Sequence, residues 1–222
     1  MDNVEINYNK RHAVSRYFQE LSVGKNKKIR TKGVLFDSAL VMFGEYGISN
    51  TRLEDITRHA GMANATFYNH FKDKDELVQA VALAIGTELL TPLEERLAVD
   101  FSEIPLLVVA ANTLMMNTVL EQESWGKFLV QSFYLAPASY GHVATRIRDI
   151  FELGAAQGVF TCIVDEFLMD QAQSVMLSGL RRLGHLNSES IIDRTSENVL
   201  RLLGMTPASA KRAVGKGRAL IS

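Results

Sequence analysis

The sequence predicts an all-α protein with a small N-terminal helix-turn-helix domain and a larger C-terminal helical domain. Apolar residues recur with helical spacing, Pro, Gly or polar breaks separate these segments, and no stretch shows convincing strand alternation. Hydrophobic residues make up 47% of the chain, with only 4 prolines. The 222 residues suffice for one large or two small domains with their own cores.

Charge is distributed unevenly along the chain. Residues 1–75 carry 12 basic and 9 acidic side chains, whereas residues 76–222 carry 12 and 16. We therefore expect any phosphate-facing surface in the N-terminal third. No run of 18 uninterrupted apolar residues and no signal-peptide pattern is present, so we predict no membrane partner. The single cysteine, Cys162, fits a reducing cytoplasm, and we expect a cytoplasmic, nucleoid-associated protein.

The stretch TRLEDITRHAGMANATFYNHF, residues 51–71, predicts two short helices joined by a tight turn. Thr51 followed by Glu54 has the capping-box pattern, so we expect Thr51 to be the N-cap of the first helix. Gly61 tolerates the left-handed backbone of a tight turn and ends that helix.

The second helix is expected from Asn64 to about His70, with Phe67 and Phe71 turned inward. Its outer face then carries small hydrogen-bonding side chains, which suits a DNA major groove. The same pattern also fits an ordinary helical hairpin. Outward-facing positions are Asn64, Ala65, Thr66, Tyr68 and Asn69.

This stretch, with the helix before it, resembles the DNA-binding domain of TetR-family transcriptional regulators. The matching residues are Ala39, Phe43, Gly47, Thr51, Ile56, Ala60, Gly61, Thr66, Phe67, Tyr68, His70, Phe71, Lys72, Lys74, Glu76 and Leu77. Three positions depart from the family pattern: Thr57 stands where Ala is usual, Met62 where Val is, and Ala63 where Ser commonly caps the recognition helix.

The resemblance and the residue types together predict the DNA contacts. Thr66 and Tyr68 match the family's phosphate-binding hydroxyls, and Lys74 matches its basic contact. Asparagine and small side chains suit base edges, and the start of a helix suits phosphate. The predicted DNA-binding set is Thr51, Arg52, Asn64, Ala65, Thr66, Tyr68, Asn69, His70 and Lys74, with His70 ranked below the others because it more often packs or caps.

We predict four regions. These are an N-terminal extension with a basic arm (1–30), the helix-turn-helix domain (31–77), an effector-binding and dimerisation domain (78–204) and a loose basic tail (205–222). Helices are expected at about 31–46, 103–121, 123–135, 138–157, 163–183 and 188–203, with a further helix starting after Asp73.

The resemblance also implies a small-molecule effector pocket and a homodimer built on the last two helices. Candidate pocket residues are Asn112, Met116, Trp125, Phe128, Gln131 and His142. Candidate dimer residues are Leu168, Val175, Gly179, Leu183, Ile192 and Val199. For both sets the alternative is that the residues belong to the core of a single chain.

We therefore expect a homodimeric repressor that a small molecule releases from a palindromic double-stranded DNA operator. Two alternatives stay open: DNA binding without ligand control, as in a partner-controlled or architectural protein, and an all-α enzyme. The enzyme is disfavoured because the five histidines lack metal-ligand spacing and no Gly-rich phosphate loop follows a strand. We predict no metal and no cofactor.

Overall fold

The computed structural model describes residues 16–97, 103–183 and 188–219, without the side chains of 91–97, 123 and 219. Every regular element in these ranges is a helix, which confirms the predicted all-α class. The elements are α1 (Tyr17–Leu21), α2 (Lys27–Tyr46), α3 (Leu53–His59), α4 (Asn64–Tyr68), α5 (Lys74–Leu97), α6 (Ile104–Glu121), α7 (Glu123–Leu135), a 3₁₀ turn (Pro137–Tyr140), α8 (Gly141–Ala156), α9 (Glu166–Leu180), α10 (Ser188–Leu202) and α11 (Pro207–Ala219). The chain divides into an N-terminal unit, residues 1–74, and a C-terminal unit, residues 75–222.

The basic segment that we expected to form an arm is helical from Lys27 onward. The side chain of Asn26 accepts a hydrogen bond from the Ile29 amide at 3.0 Å and caps α2, which begins at Lys27, four residues before the predicted start. Lys27–Lys32 therefore lie in the first turns of α2 and not in a separate arm before it. Residues 1–15 of the predicted extension lie outside the described residues.

Four phenylalanines form the centre of the N-terminal unit. The Phe18 ring lies 5.3 Å from that of Phe36, which lies 6.0 Å from Phe71, and Phe71 lies 5.5 Å from Phe67. All four are buried. This aromatic chain joins α1, α2 and α4, so it fixes the position of α4, the helix predicted to read DNA.

A buried carboxylate holds α1 against α2. Asp37 accepts hydrogen bonds from the amides of Phe18 at 3.1 Å and Gln19 at 2.9 Å, so it satisfies free N–H groups at the start of α1. Burial raises the pKa of Asp37 to about 6, although the two amide hydrogen bonds act in the opposite direction. At Gly33 a Cβ atom would lie 2.6 Å from the Phe18 carbonyl oxygen, so only glycine permits this close approach.

The C-terminal unit is organised around α6, which packs against α7, α8, α9, α10 and α11. In the described part of the chain, α6 is the one helix long and apolar enough to cross a membrane, with a mean hydropathy of 1.5. Ile104, Val109 and Met116 on this helix are fully buried inside the protein. A helix surrounded by neighbours is apolar on every side for that reason.

The residues predicted for a dimer interface face the core of their own chain. Leu168, Gly179, Ile192 and Val199 are buried, Val175 packs against the same core, and Leu183 is half-buried. A Cβ atom on Gly179 would collide with the Thr195 hydroxyl, so this glycine serves the contact between α9 and α10 within one chain. The apolar periodicity was read correctly, but these residues are not available as predicted for a contact between two copies.

The C-terminal tail is a helix, and the prediction that it is loose is wrong. Ala210, Ala213 and Val214 of α11 are buried against α6 and α10. The Arg218 guanidinium lies 2.9 Å from the Asp193 carboxylate of α10 and 3.2 Å from that of Glu189. The tail's basic residues face outward or pair with α10, while its small residues fill the interface with α6.

Candidate nucleic-acid interface and interior cavity

Helices α3 and α4 form a helix-turn-helix in the N-terminal unit. Gly61, at φ 64°, makes the turn, and the Met62 amide donates to the Thr57 carbonyl oxygen at 2.9 Å. Phe67 is fully buried and Phe71 is 3% exposed, as predicted. These two rings anchor one side of α4, so its opposite side is free to meet a partner.

The opposite side of α4 is exposed and polar. Asn64, Ala65, Tyr68 and Asn69 are exposed, and Thr66 is half-buried. Tyr68 is 60% exposed, with its ring edge-on to Phe67 at 5.6 Å. The helix ends at Tyr68, earlier than predicted, and Asn69 is its C-cap. These side chains present the hydroxyl and amide groups that contact phosphates and base edges.

Thr51 does not cap α3 and does not face outward. It is buried, and its hydroxyl lies 2.8 Å from the Gly47 carbonyl oxygen and 3.1 Å from that of Met42. The N-cap of α3 is the next residue, Arg52, whose amide donates to the Asp55 carboxylate at 3.2 Å. The acidic half of the predicted capping box is thus shifted by one residue, from Glu54 to Asp55. Arg52 is exposed and stays a candidate DNA contact. The buried Thr51 side chain is no longer a candidate.

Lys74 was expected to point outward, but its ammonium is engaged inside the N-terminal unit. Its Nζ donates to the carbonyl oxygens of Ile48 at 2.8 Å and Thr51 at 2.9 Å. Both acceptors belong to the segment that leads from α2 into α3. Lys74 therefore positions α3 and is a poor candidate for a phosphate contact.

A hydrogen bond joins the two helices of the motif at the start of α4. The Thr57 hydroxyl lies 2.6 Å from the Asn64 Oδ1 atom. Thr57 is buried and Asn64 is exposed, so an internal residue holds an outward-facing amide. In the sequence, Thr57 stood out only as a departure from the family pattern. Its position two residues before the end of α3 was the available signal.

His70 lies beside basic residues of α2. Burial lowers the pKa of His70, and the charges of Lys28 and Lys32 lower it further. The Lys32 ammonium also lies over the rings of Phe36 at 5.2 Å and Phe71 at 5.7 Å. The beginning of α2 therefore brings positive charge to the end of α4. His70 itself is half-buried and neutral, so it packs against its neighbours and is a poor candidate for reading a base.

A cavity of about 230 Å³ lies inside the C-terminal unit. Its wall is mainly apolar and is formed by residues such as Leu90, Val108, Ala111, Phe133, Val143, Ile147 and Phe151. The charged residues Arg148, Glu166 and Asp170 also line it. Arg148 of α8 and Glu166 of α9 are joined at 2.8 Å, and the Glu166 side chain is 88% exposed. An apolar space with a few polar groups is the usual form of a small-molecule site.

One of the six predicted pocket residues lines this cavity. Asn112 does so, and its Nδ2 donates to the Ser196 hydroxyl at 2.7 Å and the Ile192 carbonyl oxygen at 3.4 Å. The other five do not line this cavity, so their prediction is wrong for it. Met116, Trp125 and Phe128 are fully buried in the core. Gln131 donates to the Lys127 carbonyl oxygen, and His142 lies beside Gly86. The predicted set contained no apolar residue of α8, although Val143, Ile147 and Phe151 of that helix line the cavity.

Comparison with known families identifies the N-terminal unit. Residues 35–81 match the family described as "Bacterial regulatory proteins, tetR family". Residues 35–81 therefore carry a TetR-family DNA-binding domain. This confirms the resemblance stated above. The enzyme alternative is set aside, because the matched TetR-family proteins are transcription regulators.

Two curated relatives match short stretches of the chain. The chain is 35% identical over 57 residues to the HTH-type transcriptional regulator AcrR of Shigella flexneri, which is 26% of each chain. It is 32% identical over 77 residues to the uncharacterized HTH-type transcriptional regulator YvdT of Bacillus subtilis (strain 168), or 35% of this chain and 37% of YvdT. The match thus spans about a quarter of AcrR and somewhat more than a third of YvdT.

Solved structures share the fold over most of the chain. RolR without ligand superposes with a TM-score of 0.65 at 22% identity, covering 82% of this chain and 95% of RolR. RolR in complex with resorcinol superposes with a TM-score of 0.64 at 22% identity, covering 86% of this chain and 95% of RolR. FadR from Bacillus subtilis in complex with stearoyl-CoA superposes with a TM-score of 0.65 at 13% identity, covering 78% of this chain and 98% of FadR. At these identities the likeness establishes the fold.

Proposed function

We propose that this chain is a cytoplasmic, nucleoid-associated transcriptional repressor that binds a palindromic DNA operator as a homodimer and leaves it when a small molecule binds. The observation that carries the proposal is α4: Phe67 and Phe71 anchor one side in the core, and the exposed side presents amides and hydroxyls. A short helix held in this way can enter a major groove without losing its packing.

The exposed groups divide by the part of DNA that they suit. Asn64, Ala65 and Asn69 reach base edges, because an asparagine amide bonds to bases and a small alanine permits close approach. The hydroxyls of Thr66 and Tyr68 bind phosphates and so fix the register of α4.

The flanks of α4 add phosphate contacts. Arg52 lies at the start of α3, and the exposed Lys28 lies at the start of α2 beside His70. The positive charge of these helix starts complements phosphate.

The cavity in the C-terminal unit is the proposed effector site. At about 230 Å³ it exceeds the about 150 Å³ that holds one benzene molecule, so it suits a compound of roughly ten heavy atoms. Resorcinol, the ligand named for RolR, is of this size, whereas the stearoyl-CoA named for FadR is far larger. We expect a small, mainly apolar effector with one or two hydrogen-bonding groups, which Asn112 and Gln173 can meet.

Helix α5 is the proposed route from effector to DNA. Gly86, Leu89 and Leu90 of α5 line the cavity, and the first residue of the same helix, Lys74, holds the segment before α3. A ligand that displaces α5 therefore acts on the position of α3. The ligand must bind the DNA-free state more tightly than the DNA-bound state, since only a difference in affinity shifts the equilibrium.

We retain the homodimer but not its predicted residues. The operator of a two-fold symmetric reader has half-sites about 34–36 Å apart or a multiple of that distance. Any interface on α9 and α10 would use their outward side, which carries exposed residues such as Ser174, Arg194 and Asn198. Sedimentation of the purified protein at micromolar concentration tests this proposal, and a monomer would overturn it.

The effector site is tested by screening small hydroxylated and uncharged aromatic compounds for release of the protein from a selected operator. Ala144 lines the cavity, so Ala144→Phe should abolish release by any active compound and leave operator binding intact. Ala156 lies on the same helix, is exposed and is absent from the cavity wall, so Ala156→Phe is the matched control. If Ala144→Phe still responds normally, the effector binds elsewhere. If no compound releases the protein, ligand-independent DNA binding is favoured.

A further inference from the structure

Thr57 lies beneath the start of α4 and touches one residue of the proposed DNA-reading face. Its hydroxyl lies 2.6 Å from Asn64 Oδ1, against 3.2 Å from the Glu54 carbonyl oxygen and 3.3 Å from that of Leu53. A hydroxyl has one proton to donate, and Asn64 offers the shortest of the three contacts. The Thr57 side chain is buried, and the Asn64 oxygen is the one side-chain acceptor among these three.

The hydrogen bond selects one of the two orientations of the Asn64 amide. A side-chain amide has an oxygen that accepts and an NH₂ group that donates, and rotating the amide by a half-turn exchanges them. With one lone pair of Oδ1 engaged by Thr57, both hydrogens of the NH₂ group are left for a partner. The opposite orientation would place NH₂ against the hydroxyl, and Thr57 would then donate to a backbone carbonyl oxygen at 3.2 or 3.3 Å in place of the 2.6 Å contact with Asn64.

We propose that Thr57 is a positioning residue that sets the base preference of Asn64. An asparagine that reads adenine uses both of its groups, because it accepts from N6 and donates to N7. An asparagine with its oxygen engaged presents two hydrogens, and guanine offers two major-groove acceptors, N7 and O6. Asn64 therefore reads guanine in this protein. The inference rests on the proposed DNA-binding function and adds the chemistry of one contact to it.

The strength of the preference for guanine follows from the short hydrogen bond between Thr57 and Asn64 Oδ1, which the opposite amide orientation would give up. One hydrogen bond contributes a net of about 1 kcal/mol, which is about a five-fold difference in binding. We expect guanine to be preferred over adenine at the position read by Asn64 by about that factor. Thr57→Val, which has nearly the same shape but no hydroxyl, should reduce the guanine-to-adenine ratio by about five-fold.

The experiment selects DNA sequences with the full-length protein and its variants. Asn64→Ala identifies the base pair that Asn64 reads, because only there is preference lost. At that position the unaltered protein should select guanine, Thr57→Val should shift toward adenine, and Thr57→Ser, which keeps a hydroxyl, should still select guanine. Thr57→Val combined with Asn64→Ala should match Asn64→Ala alone, a result that a purely structural role of Thr57 would not produce.

Several results would overturn the inference. One is selection of adenine by the unaltered protein. Another is an unchanged guanine-to-adenine ratio in Thr57→Val. A third is a shift in base preference on adding Thr57→Val to Asn64→Ala that equals the shift caused by Thr57→Val alone. If Thr57→Val does not fold, as judged by its circular dichroism and melting, Thr57→Ala replaces it with the residue type that the family pattern has there. Failure of the unaltered protein to select any motif would refute the proposed function itself, whereas a clear motif without the Thr57 effect would refute only this inference.

Discussion

The Nζ atom of Lys74 lies 2.9 Å from the carbonyl oxygen of Thr51 and connects the first residue of α5 to the segment that begins α3. Thr51 in turn is bound through its hydroxyl to the carbonyl oxygen of Gly47, at the end of α2. The start of the helix-turn-helix is thus fixed by internal hydrogen bonds at residues whose types had indicated DNA contacts.

Lys74→Met should therefore act through structure more than through charge. Two carbonyl oxygens lose a charged donor, so we expect a loss of about 1 to 2 kcal/mol in the stability of the N-terminal unit. Amide hydrogen exchange in α3 measures this loss. Operator affinity should fall for all sequences alike, while the salt dependence of binding stays nearly constant.

Lys72→Met is the matched control, because it removes the same charge from an exposed position two residues earlier. A lysine that contacts phosphate contributes about one unit to the salt slope. Should Lys74→Met lower the slope by about one unit and leave exchange in α3 unchanged, the structural role assigned to Lys74 would be incorrect.

The exposed side chains of α4 should separate into two kinds of effect. Thr66→Ala and Tyr68→Phe remove hydroxyls assigned to phosphates, so each should weaken binding by a similar factor on every sequence. Asn64→Ala should instead remove the preference at one base pair, where we expect discrimination against the wrong base to fall by about 1 to 3 kcal/mol. Binding measured to a set of single-base operator variants checks both. Equal loss of preference in all three proteins would contradict this division.

Asp37 should make the N-terminal unit less stable as pH rises. Burial raises the pKa of Asp37 from 3.8 to about 6 in the folded protein. The protonated form is thus favoured by folding, and its contribution is full below the unfolded pKa and lost as pH rises through about 6. Between about pH 5 and about pH 8 the unit should lose on the order of 1 kcal/mol, because the rest of the pKa shift acts below pH 5.

Asp37→Asn removes the titrating group, and its Oδ1 atom can still accept one amide hydrogen bond. The difference in pH dependence between the two proteins isolates Asp37 from other acids. It can be followed by amide hydrogen exchange in α2, corrected for the intrinsic effect of pH. An identical pH dependence in the two proteins would show that the Asp37 carboxyl does not titrate as described.

Helix α11 should contribute to the stability of the C-terminal unit. Ala213 is buried, whereas Lys211 on the same helix is exposed. Ala213→Asp places an unpaired charge in the interface and should destabilise the unit by several kcal/mol, on the order of 3. Lys211→Asp, the control, should have little effect. Urea unfolding followed by fluorescence of Trp125 measures both. Equal stability of the two proteins would support the loose tail that the sequence had predicted.

The sequence predicted the features that depend on local chemistry. Phe67 and Phe71 fall on one helical face and are buried, and Gly47 and Gly61 end helices with positive φ. Helices α6, α7 and α10 agree with their predicted bounds to within one residue. Helical periodicity and glycine conformation act over a few residues, so they are visible in the chain itself.

The errors concern partners that are distant in sequence. The carbonyl oxygens that bind Lys74 belong to residues 48 and 51, and the surface that buries Ala213 belongs to other helices. Periodicity identified an apolar stripe at Ile192 and Val199 but could not decide between a second copy and the same chain. A pattern shows which side of a helix is buried, and only the tertiary structure shows what covers it.

The central claim is that two copies of α4 read a palindromic operator. Its most direct test is selection of genomic DNA fragments by the purified protein at about 150 mM salt, a concentration at which non-specific binding is weak. Tyr68→Ala, altered at an exposed residue of α4, is run in parallel. We predict a short palindrome with half-sites one helical turn or a multiple apart, recovered at a much lower level by the variant. Salt-sensitive binding without a motif, or the same palindrome recovered at an undiminished level by the variant, would contradict the claim.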